Sequence, residues 1–496
     1  MKKTYCAVIM AFFSTYFFSI SAVELYKAGQ EHQAKEDWYS AIELYQEALN
    51  VNPSYGDVWF ALAKCSYATE QYDLVLTYLN AADKYMPNNT DILNLRGFAF
   101  IGLGKIEEAR VQFLQVLAEN PNDIQSRFGL GELDVFFGKF SGAERYYIDA
   151  LTRQAQNRKA LLALALVSDE LNKTDAARNY LKQALAYHSG NADVHYYAGY
   201  IAARDSEMKK AEGYLRTAIL LDGDYDKAYS LLATILYQQG RFQEAIDICD
   251  YQISVNRDNS LAWYLQGLSY RQMNEPIKAY NSLSTGLKIA PRDEVMRAAL
   301  EMIIDESIAL EDRRRISLSK YHVQKGEEYY KHFYAEQSRF EYLVALHLYP
   351  ENIEARLAYA NILLHEGYNE SYLAQLEFIK SMGAATQKID DKIEAWQSKL
   401  QTTIPKNWGV DTLYLDKNRW NIQMFYADTV ELIHAQAQEI CARRLVSYMR
   451  SIPEITLTAS ATTGFSDAFR RARTNKQDFF ILLKFEETER EIHIIA

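Results

Sequence analysis

Apolar residues recur every three or four positions along most of this chain, which is the spacing of one face of an α-helix. The first two such stretches are residues 23–35 and 40–50, and a short polar turn separates them. In the first stretch, Leu25, Gly29 and His32 fall at i, i+4 and i+7. The pattern predicts two amphipathic helices that pack against each other.

This pair of stretches recurs eight times between residues 22 and 293, with a fixed period of 34 residues. At this spacing, Ala41 is followed by Val75, Ala109, Ala143, Ala177, Ala211, Ala245 and Ala279. Gly29 is followed by Ala63, Gly97, Gly131, Ala165, Gly199, Ala233 and Gly267. Small side chains at fixed positions let two helix backbones approach closely. The period therefore predicts a linear array of helix pairs in which each unit contacts its neighbours.

Larger residues and chain breaks repeat at the same spacing. Tyr45 and its successors are large enough to fill the space beside each close helix crossing. Glycines stand in several of the turns between the two helices, at Gly104, Gly138 and Gly240. Proline often follows the second helix and stops it, since proline cannot donate a backbone hydrogen bond. Together these features resemble the tetratricopeptide repeat (TPR). The resemblance implies a mainly α fold, a right-handed TPR α-solenoid (superhelix), over somewhat more than half of the chain.

The repeat pattern changes after residue 293. Residues 294–318 fit no repeat and include an apolar helix over residues 295–310 and the run Arg313-Arg314-Arg315, which we interpret as a solvated helix end. Two degenerate repeats are predicted at residues 319–352 and 353–386. A helix over residues 388–400 would cover the last apolar face, as terminal caps of solenoids do.

A small C-terminal α/β domain is predicted after a linker at residues 402–410. Strands are expected at residues 419–426, 454–459, 479–485 and 490–495, with helices at 429–450 and 466–474, in the order β-α-β-α-β-β. This domain, residues 411–496, weakly resembles small α/β modules of bacterial envelope assembly lipoproteins, in its long first helix and in the stretch from Ala472 to Asp478 and Leu482. Either its last strand is an inner one, or the chain continues and the domain is incomplete.

The N-terminus and the charge bear on location and on the class of partner. Lys2 and Lys3 precede an apolar run over residues 5–20, and Ala22 follows it, which predicts a signal peptide over residues 1–22. A retained membrane anchor is the alternative, but the run is short for a bilayer span. We therefore expect a periplasmic or cell-envelope protein. A net charge of −11 argues against a nucleic-acid partner.

The sequence contains little catalytic or metal-binding signal. No HExxH or CxxC motif occurs, so we expect no metal site and no cofactor. The three cysteines that would remain after signal removal, Cys65, Cys249 and Cys441, are interpreted as buried small apolar residues and not as a disulfide framework. We predict that the protein is not an enzyme.

A second stripe of residues lies beside the packing face of each first helix. In tetratricopeptide proteins, which this chain resembles, that stripe lines the inside of the superhelix. Here it is rich in rings that could contact a partner over a large area. The predicted groove residues are Tyr26, Phe60, Tyr67, Phe98, Phe128, Phe136, Tyr196, Tyr200, Tyr237 and Tyr264. The alternative is that several of these rings only pack one repeat against the next.

The sequence thus favours a scaffold of the bacterial periplasm or cell envelope that binds a protein or peptide partner in an aromatic concave groove, with a possible membrane complex nearby. A second hypothesis makes the C-terminal module an enzyme or ligand sensor, with His434, Asp467 and His493 as the candidates for acid–base chemistry. Self-association through the aromatic face is a third. The oligomeric state is left open.

Overall fold

A computed structural model describes residues 21–35, 37–399, 420–427, 431, 434–449, 455–487 and 492–496. The predicted signal run and linker lie almost wholly outside these residues. The described chain is mainly α-helical and ends in a small α/β region, as predicted. It divides into two compact units, the first ending at Ser189 and the second beginning at Gly190. Each unit is described by itself.

The first unit contains five helix pairs, in which a 13-residue helix precedes a 14-residue helix. The two helices of a pair pack more closely on each other than on the helices of the neighbouring pairs. The ten helices are α1 Ala22–Ala34, α2 Trp38–Val51, α3 Gly56–Ala68, α4 Tyr72–Tyr85, α5 Thr90–Gly102, α6 Ile106–Glu119, α7 Ile124–Phe136, α8 Phe140–Arg153, α9 Arg158–Glu170 and α10 Thr174–Tyr187.

The small residues stand where the sequence predicts close helix contact. A Cβ atom added at Gly131 would lie 2.4 Å from Cε1 of Tyr147, and one added at Gly29 would lie 2.4 Å from Cε1 of Tyr45. Such distances are too short for van der Waals contact, so these positions require glycine for steric reasons. Gly104 has a φ of 71° in its turn, a left-handed conformation that favours glycine. The prediction of paired helices with a larger side chain filling the space beside each crossing is confirmed for this unit, where Tyr45 and its successors are all buried.

The second unit begins with three further pairs and then one helix that continues the period. These helices are α11 Ala192–Arg204, α12 Met208–Leu221, α13 Asp226–Gln238, α14 Phe242–Val255, α15 Ser260–Gln272, α16 Pro276–Ile289 and α17 Glu294–Ser307. Helix α17 begins one full period after α15 and packs against α16. The prediction that the repeat register breaks at residue 294 is therefore wrong by one helix.

The degenerate part contains α18 Arg313–Lys331, α19 Ala335–Leu348, α20 Ile353–His365, α21 Asn369–Ser381 and α22 Gln387–Ser398. Helix α18 begins six residues before the predicted repeat, and α22 packs on α21 as a terminal cap. The interpretation of Arg315 as part of a solvated helix end is wrong. Its side chain is buried and its guanidinium donates to the carbonyls of Ile304 and Ile308 at 2.8 and 2.9 Å. Arg315 therefore donates hydrogen bonds to carbonyl groups at the C-terminal end of α17, where carbonyls have no partner within the helix.

The C-terminal module is a four-stranded sheet with two helices. Its elements are β1 Trp420–Ala427, α23 Ala437–Met449, β2 Ile455–Thr462, α24 Phe465–Thr474, β3 Phe479–Glu487 and β4 Ile492–Ile495. The strand order is β2-β1-β3-β4, with β4 antiparallel to β3 and the other pairs parallel. The predicted order of elements is confirmed. The first helix begins at Ala437 and not near residue 429, because Gln436 has a φ of 61°.

Two of the three cysteine interpretations are also confirmed. Cys65 and Cys249 are buried and carry free thiols. Burial raises the pKa of the Cys65 thiol to about 11. Cys441 forms no disulfide with a described cysteine either, but its side chain is only half-buried.

Candidate protein-binding faces

We call the predicted groove residues of the first unit the first-unit face. It comprises Tyr26, Phe60, Tyr67, Phe98, Phe128 and Phe136. The rings differ widely in accessibility. Phe136 is 67% exposed, whereas Phe128 is 1% exposed and packs against Tyr147 of its own repeat. Tyr26, Phe60, Tyr67 and Phe98 are half-buried.

Two lysines lie over the rings of this face. The Lys64 ammonium is 5.0 Å from the centroid of Phe60. The Lys159 ammonium is 5.1 Å from the centroid of Phe98 and 4.9 Å from that of Phe128, and it pairs with Glu132 at 2.9 Å. Such cation–π contacts hold the amines at the ring faces. The first-unit face therefore combines half-exposed aromatic area with the ammonium group of Lys64 and the ion pair of Lys159 with Glu132.

The equivalent residues of the second unit form the second-unit face, which comprises Tyr196, Tyr200, Tyr237 and Tyr264. Tyr196 and Tyr200 are half-buried and pack on the core of that unit. Tyr264 is 1% exposed, and its hydroxyl donates to the backbone carbonyl of Ala435 at 2.7 Å. Burial raises the pKa of Tyr264 well above its ordinary value and that of Tyr237 to about 12. The chain itself covers this part of the face.

The covering residues are Glu431 and residues 434–449, which we call the docked segment. The Gln238 amide donates to the Glu431 carbonyl, and Arg271 donates to the Gln436 side chain at 3.1 Å. Further along, helix α23 forms ion pairs with α17, where Arg443 lies 3.0 Å from Glu306 and Arg444 pairs with Glu301.

Apolar contacts complete the docking. The rings of Phe340 and Tyr448 have centroids 4.9 Å apart. Ala435 and Ile440 are buried in the same core as Tyr264. The docked segment therefore combines small and apolar side chains, two backbone carbonyls that accept hydrogen bonds from the repeats, and charged pairs at its far end.

A buried charge cluster lies behind the pair of Arg444 and Glu301. The His322 ring is fully buried, with Nε2 2.9 Å from Glu301 and Nδ1 2.6 Å from Glu341. Burial disfavours the charged imidazole, but the two carboxylates outweigh it and hold the pKa of His322 above its ordinary value. Lys325 lies 3.5 Å from Glu341 and adds positive charge. The cluster thus links α17, α18 and α19 to α23.

The candidates for acid–base chemistry lie in three different surroundings. The His434 ring is 6.2 Å from that of Tyr264, Asp467 pairs with Arg470 and Thr462 at the start of α24, and His493 is on β4.

In the part of the chain that the structure describes, no group of three or more His, Cys, Asp or Glu side chains could hold a metal ion. Likewise, none of the described helices is long and apolar enough to cross a bilayer.

Sequence reasoning missed the docked segment, although one signal for it exists. Helix α23 buries Ala442 and Val446 against the sheet and Ile440 against the repeats. A helix with buried residues on two sides needs two partners, and the small module supplies only one. The composition of residues 437–449 therefore indicates a second contact without saying where it lies.

Known families match both parts of the chain. Families described as tetratricopeptide repeat match residues 32–97 and 202–269, and also residues 169–226. The chain is a tetratricopeptide-repeat protein. A separate family, described as a second domain, matches residues 419–496, so this tetratricopeptide-repeat protein carries a C-terminal second domain.

Several known proteins are similar to this chain. The TPR repeat-containing protein MJ1428 of Methanocaldococcus jannaschii is 23% identical over 86% of this chain and 90% of its own length. The human tetratricopeptide repeat protein 6 is 24% identical over 43% of this chain, which spans only 42% of that protein. Among solved structures, the APC/C hetero-tetramer Cut9-Hcn1 has a TM-score of 0.45 at 17% identity, over 58% of this chain and 57% of that one. Yeast Tom70 has a TM-score of 0.37 at 14% identity, over 80% and 99%.

Proposed function

We propose that this protein is a binding scaffold that holds a polypeptide partner on its first-unit face. One observation carries the proposal, namely that the corresponding face of the second unit already binds a polypeptide, the chain's own docked segment. Tetratricopeptide repeats generally bind protein partners. The first-unit and second-unit faces carry aromatic rings at equivalent positions of the repeat. The rings of the first-unit face could therefore contact a polypeptide segment as those of the second-unit face do.

The docked segment indicates which partner would fit. It sets a small residue, Ala435, against the ring of Tyr264 and adds ion pairs beyond it. On the first-unit face the ammonium group of Lys64 lies over Phe60, while that of Lys159 lies over Phe98 and is already paired with Glu132. A partner segment with small apolar residues and an acidic side chain would match both the rings and the charges.

We further propose that this scaffold acts in the bacterial periplasm or cell envelope. The support is the sequence of residues 1–22, with its basic start, apolar run and small residues. Catalysis is not part of the proposal. The second unit is assigned to holding the C-terminal module, and the first unit to the external partner.

The test is capture of partners by the full-length protein carrying Phe60→Ala and Phe98→Ala. Both rings are half-buried on the first-unit face, so their loss should reduce the amount of bound partner at least about tenfold. Capture from envelope extracts, quantified by mass spectrometry per folded molecule, gives the readout. Thermal unfolding of the same variant separates lost binding from lost folding.

The matched control is Phe333→Ala, because Phe333 is 93% exposed in a turn of the second unit. This variant should capture the partner as the wild type does. Equal capture by all three proteins, or an equal loss in both variants, would refute a partner site on the first-unit face.

A further inference from the structure

A cavity of about 880 Å³ lies between the C-terminal module and the degenerate repeats, all within the second unit. Its apolar walls include Met302 of α17, Leu346 of α19, Tyr359 of α20 and Ile440 and Val446 of α23. This size is in the range of sites that enclose small ligands. No part of the proposed function uses this cavity.

The charged groups around the cavity are paired, with one exception. Glu301 pairs with His322 and Arg444, Asp305 lies 3.0 Å from His347, and Arg443 lies 3.0 Å from Glu306. The two acidic side chains that line the cavity therefore already have side-chain nitrogen partners. They leave no carboxylate for a further cation.

Arg356 is the exception. Its side chain is only 8% exposed, and none of the carboxylates of the described residues lies within 4 Å of it. Its Nη1 donates to Gln375 at 2.6 Å and its Nη2 to the Pro350 carbonyl at 2.5 Å, while the Phe378 ring stacks on the guanidinium at 3.7 Å. The Nε atom is buried and has no hydrogen-bond partner among the described residues. Burial lowers the pKa of Arg356, as expected for a cation without a counter-charge.

Comparison with other arginines of the same kind shows what is missing. Arg127 also donates through Nη2 to a proline carbonyl, that of Pro121, and its Nε is bonded to the carboxylate of Asp149. At the same spacing from Arg356 the chain has Phe378 in place of an aspartate. Arg339, which likewise has an unbonded Nε, is paired with Glu366 at 2.7 Å. An isolated buried charge is costly, so the Arg356 site lacks an anion that its counterparts have.

The cavity also runs along a strand edge. Thr458 and Ala459 are consecutive residues of β2, so their side chains point to opposite faces of the sheet, yet both line the cavity. Residues on both faces can line one cavity when it lies beside the strand. Strand β2 is the outer strand of the sheet on this side, and an outer strand can pair with an added extended chain.

We propose that this cavity binds a short extended peptide that runs along β2 and presents a carboxylate to Arg356. The guanidinium supplies the counter-charge, and the walls of α17, α19, α20 and α23 enclose the peptide side chains. The C-terminal module and the repeats form the site together, because α23 and β2 line one side of the cavity and helices of the repeats line the other. The site is separate from the first-unit face, so the two proposals can fail independently.

The test uses the full-length protein and a pooled set of N-acetylated tetrapeptides with free C-terminal carboxylates. The same set with C-terminal amides serves as the matched probe. Peptides retained by the protein after ultrafiltration are quantified by mass spectrometry. Carboxylate peptides should be retained at least about tenfold more than amides, and Arg356→Gln should abolish that preference. Arg127→Gln, which changes an arginine with the same proline contact in the first unit, should leave it unchanged.

A second variant keeps the test decisive if Arg356→Gln does not fold. Ser447 is exposed and lines the cavity, so Ser447→Trp would fill the space with Arg356 intact and should abolish retention of both peptide sets. Equal retention of acids and amides by the wild type, or no retention at all, would overturn the proposal. So would succinate competing as tightly as the best peptide, since the ligand would then be a small organic acid and not an extended peptide.

Discussion

At the scale of single residues, α17–α20 bury several charged side chains that the repeat period does not predict. Arg315 and His322 are buried in hydrogen bonds and ion pairs. Because buried charges need well-placed partners, each of them ties several helices together. A sequence pattern of apolar and polar positions assigns such residues to the surface, and this explains why the solvated position predicted for Arg315 is wrong.

His322 makes the stability of the second unit depend on pH. Its pKa in the folded protein is above the ordinary value of about 6.5. The stabilisation is therefore fully present below that ordinary value and is lost as the pH rises through the folded pKa. We therefore expect the free energy of unfolding to fall as the pH rises above about 6.5.

Urea unfolding at a series of pH values measures this fall. In His322→Gln the fall should disappear, although the protein will be less stable throughout. His365→Gln, at an exposed histidine of the same unit, should retain the wild-type profile. A profile unchanged by His322→Gln would show that other groups cause the pH dependence.

At the scale of elements, the docked segment is held by a few discrete contacts along one face of the repeats. One of them can be removed almost without changing shape, since Tyr264→Phe deletes only the hydroxyl that bonds Ala435. A single neutral hydrogen bond contributes about 0.5–1.5 kcal/mol. Amide hydrogen exchange in α23 should therefore become roughly two- to tenfold faster in this variant.

The control is Tyr45→Phe in the first unit, where the lost hydroxyl bonds Gln33 at 2.7 Å. It removes the same group from a buried tyrosine without touching the docked segment, so α23 should exchange at the wild-type rate. If Tyr264→Phe leaves exchange in α23 unaltered, the segment is held by its other contacts.

The elements also differ in how far the sequence could predict them. Helices α1–α16 follow from a period that repeats eight times, so errors at one repeat are corrected by the others. Helix α23 occurs once. Its start depends on the positive φ of Gln436, and the spacing of apolar residues cannot predict a backbone angle. The site around Arg356 depends on contacts with α21 and β2 that are distant in sequence. Local patterns carry no information about such pairings.

For the whole molecule, the proposed export gives a direct prediction about the mature chain. Sequencing of the protein isolated from cells should find an N-terminus between Ala22 and Glu24. In the described chain, Ser21 caps α1 and forms a capping box with Glu24, so cleavage after Ala22 would remove that cap and weaken the first turn. An intact Met1 in a cytosolic fraction would contradict export.

The docked segment has a fixed length, and its contacts fix the number of helices that can lie beneath it. Its anchors are Gln238 on α13, Tyr264 and Arg271 on α15, and Glu301 and Glu306 on α17. Arrays of this kind change length by gaining or losing whole repeats. A duplication between α13 and α17 would move the later anchors away from the earlier ones by one unit, and the segment could no longer reach both. Duplications and deletions should therefore be tolerated in α1–α10 and excluded from the stretch that the C-terminal module spans.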